Sequence, residues 1–447
     1  MRIRPRLCVL VVITSLIMVC NACAQDAPPP PAAGEKSAEP EDSPLREMGN
    51  IFALIGIAIL LVQPVLAARI RWIERPFGLD AIYRLHKLLG IVAGSLIVCH
   101  PLLLAASGDF PSLLTRAGFW FIVLGKIGVL VVAVLVLTAL LYGALRLRFE
   151  TWRRVHDVLA IGLISIAVVH SGFAGGLFDA APVAVLWVAL GVGAVWIFTW
   201  HRFIRPAQLR RRAWRVTAVT PENHNVTTLT LEPPVGEAAP DYLPGQFHFL
   251  TLYRKSGPVE EHPFTISSSA TQKGVVTSTI KASGDFTATV KDTQAGDLAA
   301  RQGPFGRFSC ALHPDEKDLV FIAGGIGITP FMSMLRWMRD TGTGARVTLV
   351  WGNRKERDLV FRDELDAITR SGSPSLSIVH VLSESDATWT GEKGYVDEEK
   401  IGRLVGNDLS GKTFYLCGPP TMMKKLTATL RKVGVPKRRI RSERFAL

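Results

Sequence analysis

Four histidines with a repeated spacing are the residues of this sequence that most clearly could carry chemistry. They form two pairs, His86 with His100 and His156 with His170, and the partners of each pair are 14 positions apart. On an α-helix, 14 residues advance about 21 Å and return to within about 40° of the same face. Two such helices facing each other would therefore stack two pairs of imidazoles, one pair above the other.

Both histidine-bearing segments are apolar enough to lie in a membrane, where ionisable residues are rare and usually functional. Histidine is an axial ligand of haem iron. We therefore predict two haems b, one held by His86 and His156 and the other by His100 and His170. Two ligands on one iron leave no open position, which favours electron transfer. The alternatives are plain interhelical hydrogen bonds and a proton relay, for which we see no chain of membrane carboxylates.

The elements that must position these histidines are apolar segments of about the 20 residues that a bilayer requires. There are five of them, near residues 50–68, 83–105, 118–143, 155–176 and 181–202. The whole chain of 447 residues is 48% hydrophobic and only 20% charged, against about 25% charged in soluble proteins. The composition excludes a disordered or fibrous protein and disfavours an ordinary soluble enzyme. We predict a transmembrane haem domain over residues 49–204.

The basic residues predict the orientation of this domain. The net charge is +13, from 51 Lys and Arg against 38 Asp and Glu. Arginines cluster in the connections 69–82 and 144–156 and after residue 201. By the positive-inside rule these segments, and everything that follows the last helix, are cytoplasmic. The chain is thus expected to be a multi-pass protein of the cell (inner) membrane, and its basic charge requires no nucleic acid partner.

The N-terminal region reads as a targeting segment. Three arginines precede an apolar run, Leu7–Val19, and a small-residue cleavage pattern, so residues 1–24 are predicted to be a signal peptide. The alternative is an uncleaved first membrane helix. Residues 25–48, which include four successive prolines, are predicted to be a disordered leader.

Two further domains follow the membrane segments. Short alternating strands at 216–219, 226–231, 246–252 and 275–281 predict an antiparallel β-barrel over residues 205–312. From residue 313 to 447, strands at 319–323, 347–351, 376–382 and 413–416 alternate with helices at 330–339, 361–370 and 420–433. That order is typical of a doubly wound α/β domain with a parallel sheet.

Glycine-rich turns in these domains could hold phosphates. Gly324–Pro330 lies between an apolar strand and an amphipathic helix, which is the context of a dinucleotide site. Cys417, Gly418 and Pro419 end another strand at the same sheet edge. In the barrel, Lys281–Thr287 offers lysine, glycine and hydroxyl donors at a helix start. The alternatives are tight structural turns and, for Cys417, an inert buried thiol.

Four motifs of the second half together resemble those of the ferredoxin–NADP reductase superfamily. They are His262–Thr265, Gly324–Pro330, Cys417–Pro420 and the terminal Ser442–Phe445. With the paired membrane histidines, residues 50–447 resemble the ferric reductase and NADPH oxidase family of transmembrane electron carriers. That family usually has six membrane helices, which leaves two possibilities: the leader helix is retained, or this branch lacks it.

The resemblance implies a set of cofactor-binding residues. FAD would be held at its flavin by His262, Pro263, Phe264, Thr265 and Ser267 and at its pyrophosphate by Lys281, Gly284 and Thr287. The NAD(P)H phosphates would be cradled by Gly324, Gly325, Gly327, Thr329 and Pro330, with Gly418 and Pro419 nearby. Cys417 would lie beside the nicotinamide and Phe445 would stack on the flavin, although two more residues follow it here. Arg354 could meet a 2′-phosphate, which slightly favours NADPH; it could equally be a solvated turn residue.

These parts predict transmembrane electron transfer from cytosolic NAD(P)H through FAD and two haems to an extracytoplasmic acceptor, as in ferric reductases. The acceptor could be a ferric chelate, dioxygen (giving superoxide) or a periplasmic redox partner, and the residues do not choose among them. A membrane-anchored flavin reductase with a cytosolic acceptor, or a membrane redox sensor, are the other possibilities.

Overall fold

The computed structural model describes residues 43–109, 120–406, 408–409 and 411–443. They form two compact units. One contains the described residues up to Ile73 together with Leu79–Arg205, and the other contains Glu74–Gly78 and the described residues from Pro206 onward. The predicted signal peptide and most of the predicted leader lie outside the described residues.

Within the described residues, five helices are long and apolar enough to cross a membrane, as predicted. They are α1 Pro44–Ala67, α3 Leu79–Leu104, α4 Trp120–Leu141, α5 Phe149–Ala174 and α6 Ala181–Thr199, with a short α2 at Arg71–Phe77. The chain is therefore a multi-pass membrane protein.

Two expectations about the boundaries of these elements were wrong in detail. Helix α1 begins at Pro44, so residues 44–48 are not leader, because Pro44 suits a first turn and Glu47 favours the helix N-terminus. The α2 helix was expected to be part of a loop.

Glycines allow the membrane helices to approach closely. Helix α1 packs on α3 and α6, α3 on α4, and α5 on α4 and α6. A methyl group added at Gly56, Gly94 or Gly191 would lie within 3.0 Å of a side chain on the facing helix. Such small residues bring helix backbones together where lipid supplies no hydrophobic drive. Among the described helices, α3 and α5 are not in extensive backbone contact.

After the membrane helices, the second unit continues with α7 (Arg205–Arg211, whose first residue belongs to the membrane unit) and a six-stranded antiparallel sheet. Its strands are β1 Trp214–Asn223, β2 Val226–Glu232, β3 Phe247–Tyr253, β4 Glu261–Thr265, β5 Val276–Lys281 and β6 Leu298–Phe305, in the order β4-β3-β6-β1-β2-β5. A four-residue helix, α8 (Asp285–Ala288), follows β5. The predicted antiparallel domain is confirmed, with β4 and β6 as strands that the sequence pattern missed.

The rest of the unit is an α/β domain with a six-stranded parallel sheet, as predicted. Its strands are β7 Asp318–Gly324, β8 Arg346–Asn353, β9 Ser375–Leu382, β10 Glu392–Lys393, β11 Thr413–Cys417 and β12 Ile440–Glu443, in the order β10-β9-β8-β7-β11-β12. The helices are α9 Thr329–Thr341, α10 Arg362–Ser371, α11 Glu398–Val405 and α12 Pro420–Lys432. Because all pairs are parallel, the strands end at one common edge.

Polar contacts join the antiparallel-sheet domain to the parallel-sheet domain. Arg336 on α9 donates to both carboxylate oxygens of Glu364 and to the backbone carbonyl of Ser267. One turn before it, the Ser333 hydroxyl donates to the carbonyl of Ser268 at 2.8 Å. The helix that follows the glycine turn is therefore anchored directly on the segment that follows β4.

Candidate redox-cofactor sites

The histidines on α3 and α5 meet as the spacing predicts. The ring centroids of His86 and His156 are 6.5 Å apart, with the planes at 65° to each other. This separation leaves room for a metal held by both rings, since metal–nitrogen bonds of histidine are about 2.0 Å long. The Nδ1 atom of His156 is buried and has no hydrogen-bond partner among the described residues.

The second pair is oriented by backbone carbonyls of the neighbouring helices. Nδ1 of His100 lies 3.0 Å from the carbonyl oxygen of Gly49 on α1, and Nδ1 of His170 lies 2.7 Å from that of Phe121 on α4. These bonds place the proton on Nδ1 and leave Nε2 as the free acceptor of each ring, which is the usual arrangement of a metal-bound histidine.

A glycine makes room for one of these rings. A methyl group added at Gly125 on α4 would lie 2.5 Å from Cε1 of His170. The rings of His86 and His156 meet, and those of His100 and His170 are each held through Nδ1, so all four are oriented by the fold. Histidines held in this way on two helices fit the ligands of a haem.

The predicted flavin residues are divided by the pleat of β4. His262 and Phe264 are two residues apart and share one face, while Pro263 and Thr265 face the other way. The His262 ring stacks on Phe286 of α8, with centroids 4.1 Å apart, and lies 3.1 Å from a carboxylate oxygen of Glu260. The fold thus joins the His262–Thr265 segment to the Lys281–Thr287 segment through Phe286.

The backbone of the predicted pyrophosphate turn is held by the side chain of its own threonine. The backbone N–H groups of Ser283 and Gly284 both donate to Oγ1 of Thr287 at 2.9 Å, and Gly284 caps α8. Lys281 ends β5 directly before this turn. By contrast, the hydroxyl of Ser267 is fully buried and bonds to Thr277 and Thr279. The hydroxyl of Ser267 therefore joins the segment after β4 to β5.

A buried histidine inside the barrel was not anticipated from the sequence. His248 on β3 is fully buried; it accepts from Nε of Arg301 at Nδ1, and its Nε2 lies 2.7 Å from the Ser278 hydroxyl. Burial first and the Arg301 charge second hold the pKa of His248 well below its usual value. The ring is therefore neutral with its proton on Nε2, and it ties β3, β5 and β6 together. No sequence motif marks this contact.

The glycines of the predicted dinucleotide turn have two different surroundings: some lie in close backbone contact, and one has open space beside it. A methyl group at Gly327 would lie 2.3 Å from the carbonyl oxygen of Cys417, and one at Gly418 would lie 3.0 Å from the Gly324 backbone. These three glycines let the turn after β7 touch the turn after β11. Gly325, at φ +53, has open space beside it and is thus the position suited to the close approach of a ligand. Pro330 lies in the first turn of α9, as expected.

Cys417 ends β11 and is fully buried. Burial, with a smaller contribution from the Glu443 carboxylate, raises the pKa of its thiol well above the usual value, so the thiol is neutral. Glu443 is paired with Cys417 in the register of β11 and β12. Glu443 was not among the predicted site residues, although it belongs to the terminal motif. Phe445 lies outside the described residues.

The predicted cation for a 2′-phosphate already has an acidic partner. Arg354 Nε lies 3.1 Å from a carboxylate oxygen of Glu384, and Lys355 Nζ lies 4.0 Å from the other. Beside them, Asn353 ends β8 with an exposure of only 8%, and its side-chain nitrogen has no hydrogen-bond partner among the described residues. An unpartnered buried amide at the ligand-binding edge of the sheet fits a nucleotide hydroxyl or phosphate.

Three protein families match consecutive parts of the chain. Residues 52–167 match the ferric reductase like transmembrane component, residues 211–302 an FAD-binding domain, and residues 321–427 an oxidoreductase NAD-binding domain. The chain therefore combines the membrane domain of ferric reductases with the two domains of a flavin-dependent oxidoreductase. This domain arrangement matches a ferric reductase or NADPH oxidase-like protein with a ferredoxin–NADP reductase-type module.

Relatives of the second half are reductases. The stachydrine N-demethylase reductase subunit of Rhizobium meliloti is 31% identical over 51% of this chain, and the reductase component of propane 2-monooxygenase from Rhodococcus jostii is 32% identical over 52%. The chain spans 64% and 62% of their lengths. Among solved structures, the FAD/NAD-binding domain of a nitric oxide dioxygenase from Vibrio cholerae is 22% identical, with a TM-score of 0.47, over 52% of this chain and 98% of that one.

Gly327→Ala should disrupt the contact between the two turns. Because the new methyl group would lie 2.3 Å from the Cys417 carbonyl, we expect the melting temperature to fall by about 5 °C or more. Thermal unfolding of the full-length protein in detergent measures this. The matched control is Gly344→Ala, where no atom lies within 4 Å of the added methyl group. Equal melting temperatures for the two variants would show that the turns are not in the contact described.

Proposed function

We propose that this protein moves electrons from cytosolic NAD(P)H across the membrane to an extracytoplasmic acceptor, in the manner of a ferric reductase. When bound, FAD would take up a hydride from NAD(P)H and pass electrons singly to two haems b. The observation that carries the proposal is the pairing of four membrane histidines on a chain that also has FAD-binding and NAD-binding domains.

The four membrane histidines would supply the ligands of the two haems. His86 and His156 would hold one iron, and His100 and His170 would hold the other. Because α3 carries His86 and His100 and α5 carries His156 and His170, the two sites are separated along the helix axes by about 21 Å. That spacing supports the transfer of electrons from one side of the bilayer to the other.

Residues of the second unit would orient the electron donor, NAD(P)H, against the flavin. Gly325, at the open side of its turn, would receive the NAD(P)H phosphates, and the neutral, buried Cys417 would keep water away from the nicotinamide. The Ser283–Thr287 turn would bind the FAD pyrophosphate, and His262 with Phe264 would hold the flavin end. We place this unit in the cytoplasm because arginines flank the helix ends on that side.

A reduced-minus-oxidised spectrum tests the proposal directly. Under anaerobic conditions, addition of NADH or NADPH to the purified protein should produce the bands of a b-type cytochrome. If the flavin is reduced and no haem bands appear, the protein is instead a membrane-anchored flavin reductase. Assays for ferrous iron and for superoxide then separate a ferric reductase from an oxidase.

His100→Ala or His170→Ala should remove one of two haems and stop reduction of an external acceptor, because each iron would lose a ligand. Flavin reduction by NAD(P)H should persist. Haem content per chain, from the pyridine haemochrome spectrum, measures the first effect and stopped-flow flavin absorbance the second. His201→Ala is the control, since His201 lies in the membrane unit outside both pairs. Full haem content in both ligand variants would rule out the assignment.

The choice between NADH and NADPH is proposed to depend on Glu384. A 2′-phosphate would have to displace this carboxylate from Arg354 and Lys355, or bind beside it against charge repulsion. NADH carries no such group. The slight preference for NADPH expected from Arg354 alone is therefore opposed by a partner that the sequence did not connect to it.

Glu384→Gln should raise the affinity for NADPH relative to NADH by about two- to fivefold, because exposed ion pairs of this kind contribute little individually. Competition of each nucleotide for flavin reduction measures the ratio. The control is Glu398→Gln, which removes a similarly exposed carboxylate from an ion pair with Lys432. An unchanged ratio in Glu384→Gln would show that Glu384 does not govern the choice.

A further inference from the structure

A buried carboxylate from the segment between the first two membrane helices belongs to the unit that contains the barrel and the parallel sheet. Glu74 on α2 is only 3% exposed and is part of that unit. Its Oε1 accepts a hydrogen bond from the backbone N–H of Gly306 at 2.9 Å, and the carbonyl of Arg75 accepts one from Arg307. Carboxylates are rarely buried to this extent unless they have such a donor.

Gly306 directly follows β6 and has no room for a side chain. It has a φ of +98, and an added methyl group would lie 3.0 Å from the Phe247 ring and 3.1 Å from a carboxylate oxygen of Glu443. On its other side, the Gly306 carbonyl accepts from Nε2 of Gln246 at 2.9 Å. The residue is therefore held from two directions while it lies against Glu443.

Glu443 connects this contact to the predicted nicotinamide end of the site. It is opposite Cys417 in the pairing of β11 with β12, and its charge acts on the Cys417 thiol. A continuous set of contacts thus runs from Glu74 through Gly306 and Glu443 to Cys417.

We propose that Glu74 is a positioning residue for NAD(P)H oxidation. By accepting from the Gly306 amide it fixes Gly306, and through Gly306 the position of Glu443 beside Cys417. The segment between the first two membrane helices therefore completes a site that is otherwise built by residues after 240. This inference rests on the proposed function, since it assigns Glu74 to the site at which NAD(P)H would react.

Two conservative substitutions in the full-length protein separate the effect of the length of the Glu74 side chain from the effect of its charge. Glu74→Gln keeps the length of the side chain and an acceptor oxygen but loses the charge, whereas Glu74→Asp keeps the charge but is one methylene too short. We expect Glu74→Asp to slow flavin reduction at saturating NAD(P)H by about tenfold, because small misplacements are costly to hydride transfer. Glu74→Gln should stay within about twofold of the unmodified protein, since its oxygen still accepts the bond.

Stopped-flow flavin absorbance measures this rate and its dependence on nucleotide concentration, and FAD and haem contents verify that both variants are intact. In Glu74→Asp the maximal rate of flavin reduction should fall, while the NAD(P)H concentration that gives half of this rate should change little. Arg75→Ala is the matched control in the same segment, because only its backbone carbonyl makes the contact described. A normal rate in Glu74→Asp, or equal slowing in Glu74→Gln, would overturn the inference. Absence of flavin reduction in the unmodified protein would contradict the proposed function instead.

Discussion

A ring nitrogen of an imidazole inside a bilayer is costly to leave without a partner, because no water is present to supply one. This constraint explains much of the membrane unit. The carbonyls of Gly49 and Phe121 take one nitrogen each from His100 and His170, which requires α1 beside α3 and α4 beside α5. Glycines at the helix contacts permit that closeness. In the proposed function, a metal held between α3 and α5 would be the partner of the second nitrogen of each ring.

Close approach of backbones also organises the parallel-sheet domain. Gly327 and Gly418 are required because the turns after β7 and β11 touch, which a side chain at either position would prevent. The glycines of a phosphate-binding motif therefore need not all contact phosphate. Gly325 differs, since its φ of +53 favours glycine and no atom lies within 4 Å of an added methyl group. The motif thus combines one open position, which we propose for phosphate, with several that allow two neighbouring turns to share one edge.

The sequence predicted what depends on local periodicity. Five membrane helices, the strands of the two sheets, and the alignment of His86 with His100 and of His156 with His170 all follow from patterns within single segments. It missed what depends on distant pairing. Strand β4 is short and contains Pro263, so only its pairing with β3 reveals it. Likewise, Glu384 lies 30 positions from Arg354, and no local pattern connects them. The nucleotide preference inferred from Arg354 alone was incomplete for that reason.

The two ends of the predicted nucleotide site differ in rigidity. Cys417 is fully buried and the turn around Gly327 leaves no room for an added methyl group, whereas Arg354 is 77% exposed and is paired with Glu384, which is 48% exposed. Buried, close-packed groups keep one geometry, while exposed ion pairs exchange partners at little cost. The proposed nicotinamide end is thus close-packed, and the proposed adenosine end is exposed. The proposed effect of Glu384 on nucleotide selectivity is therefore separable from the packing around Cys417.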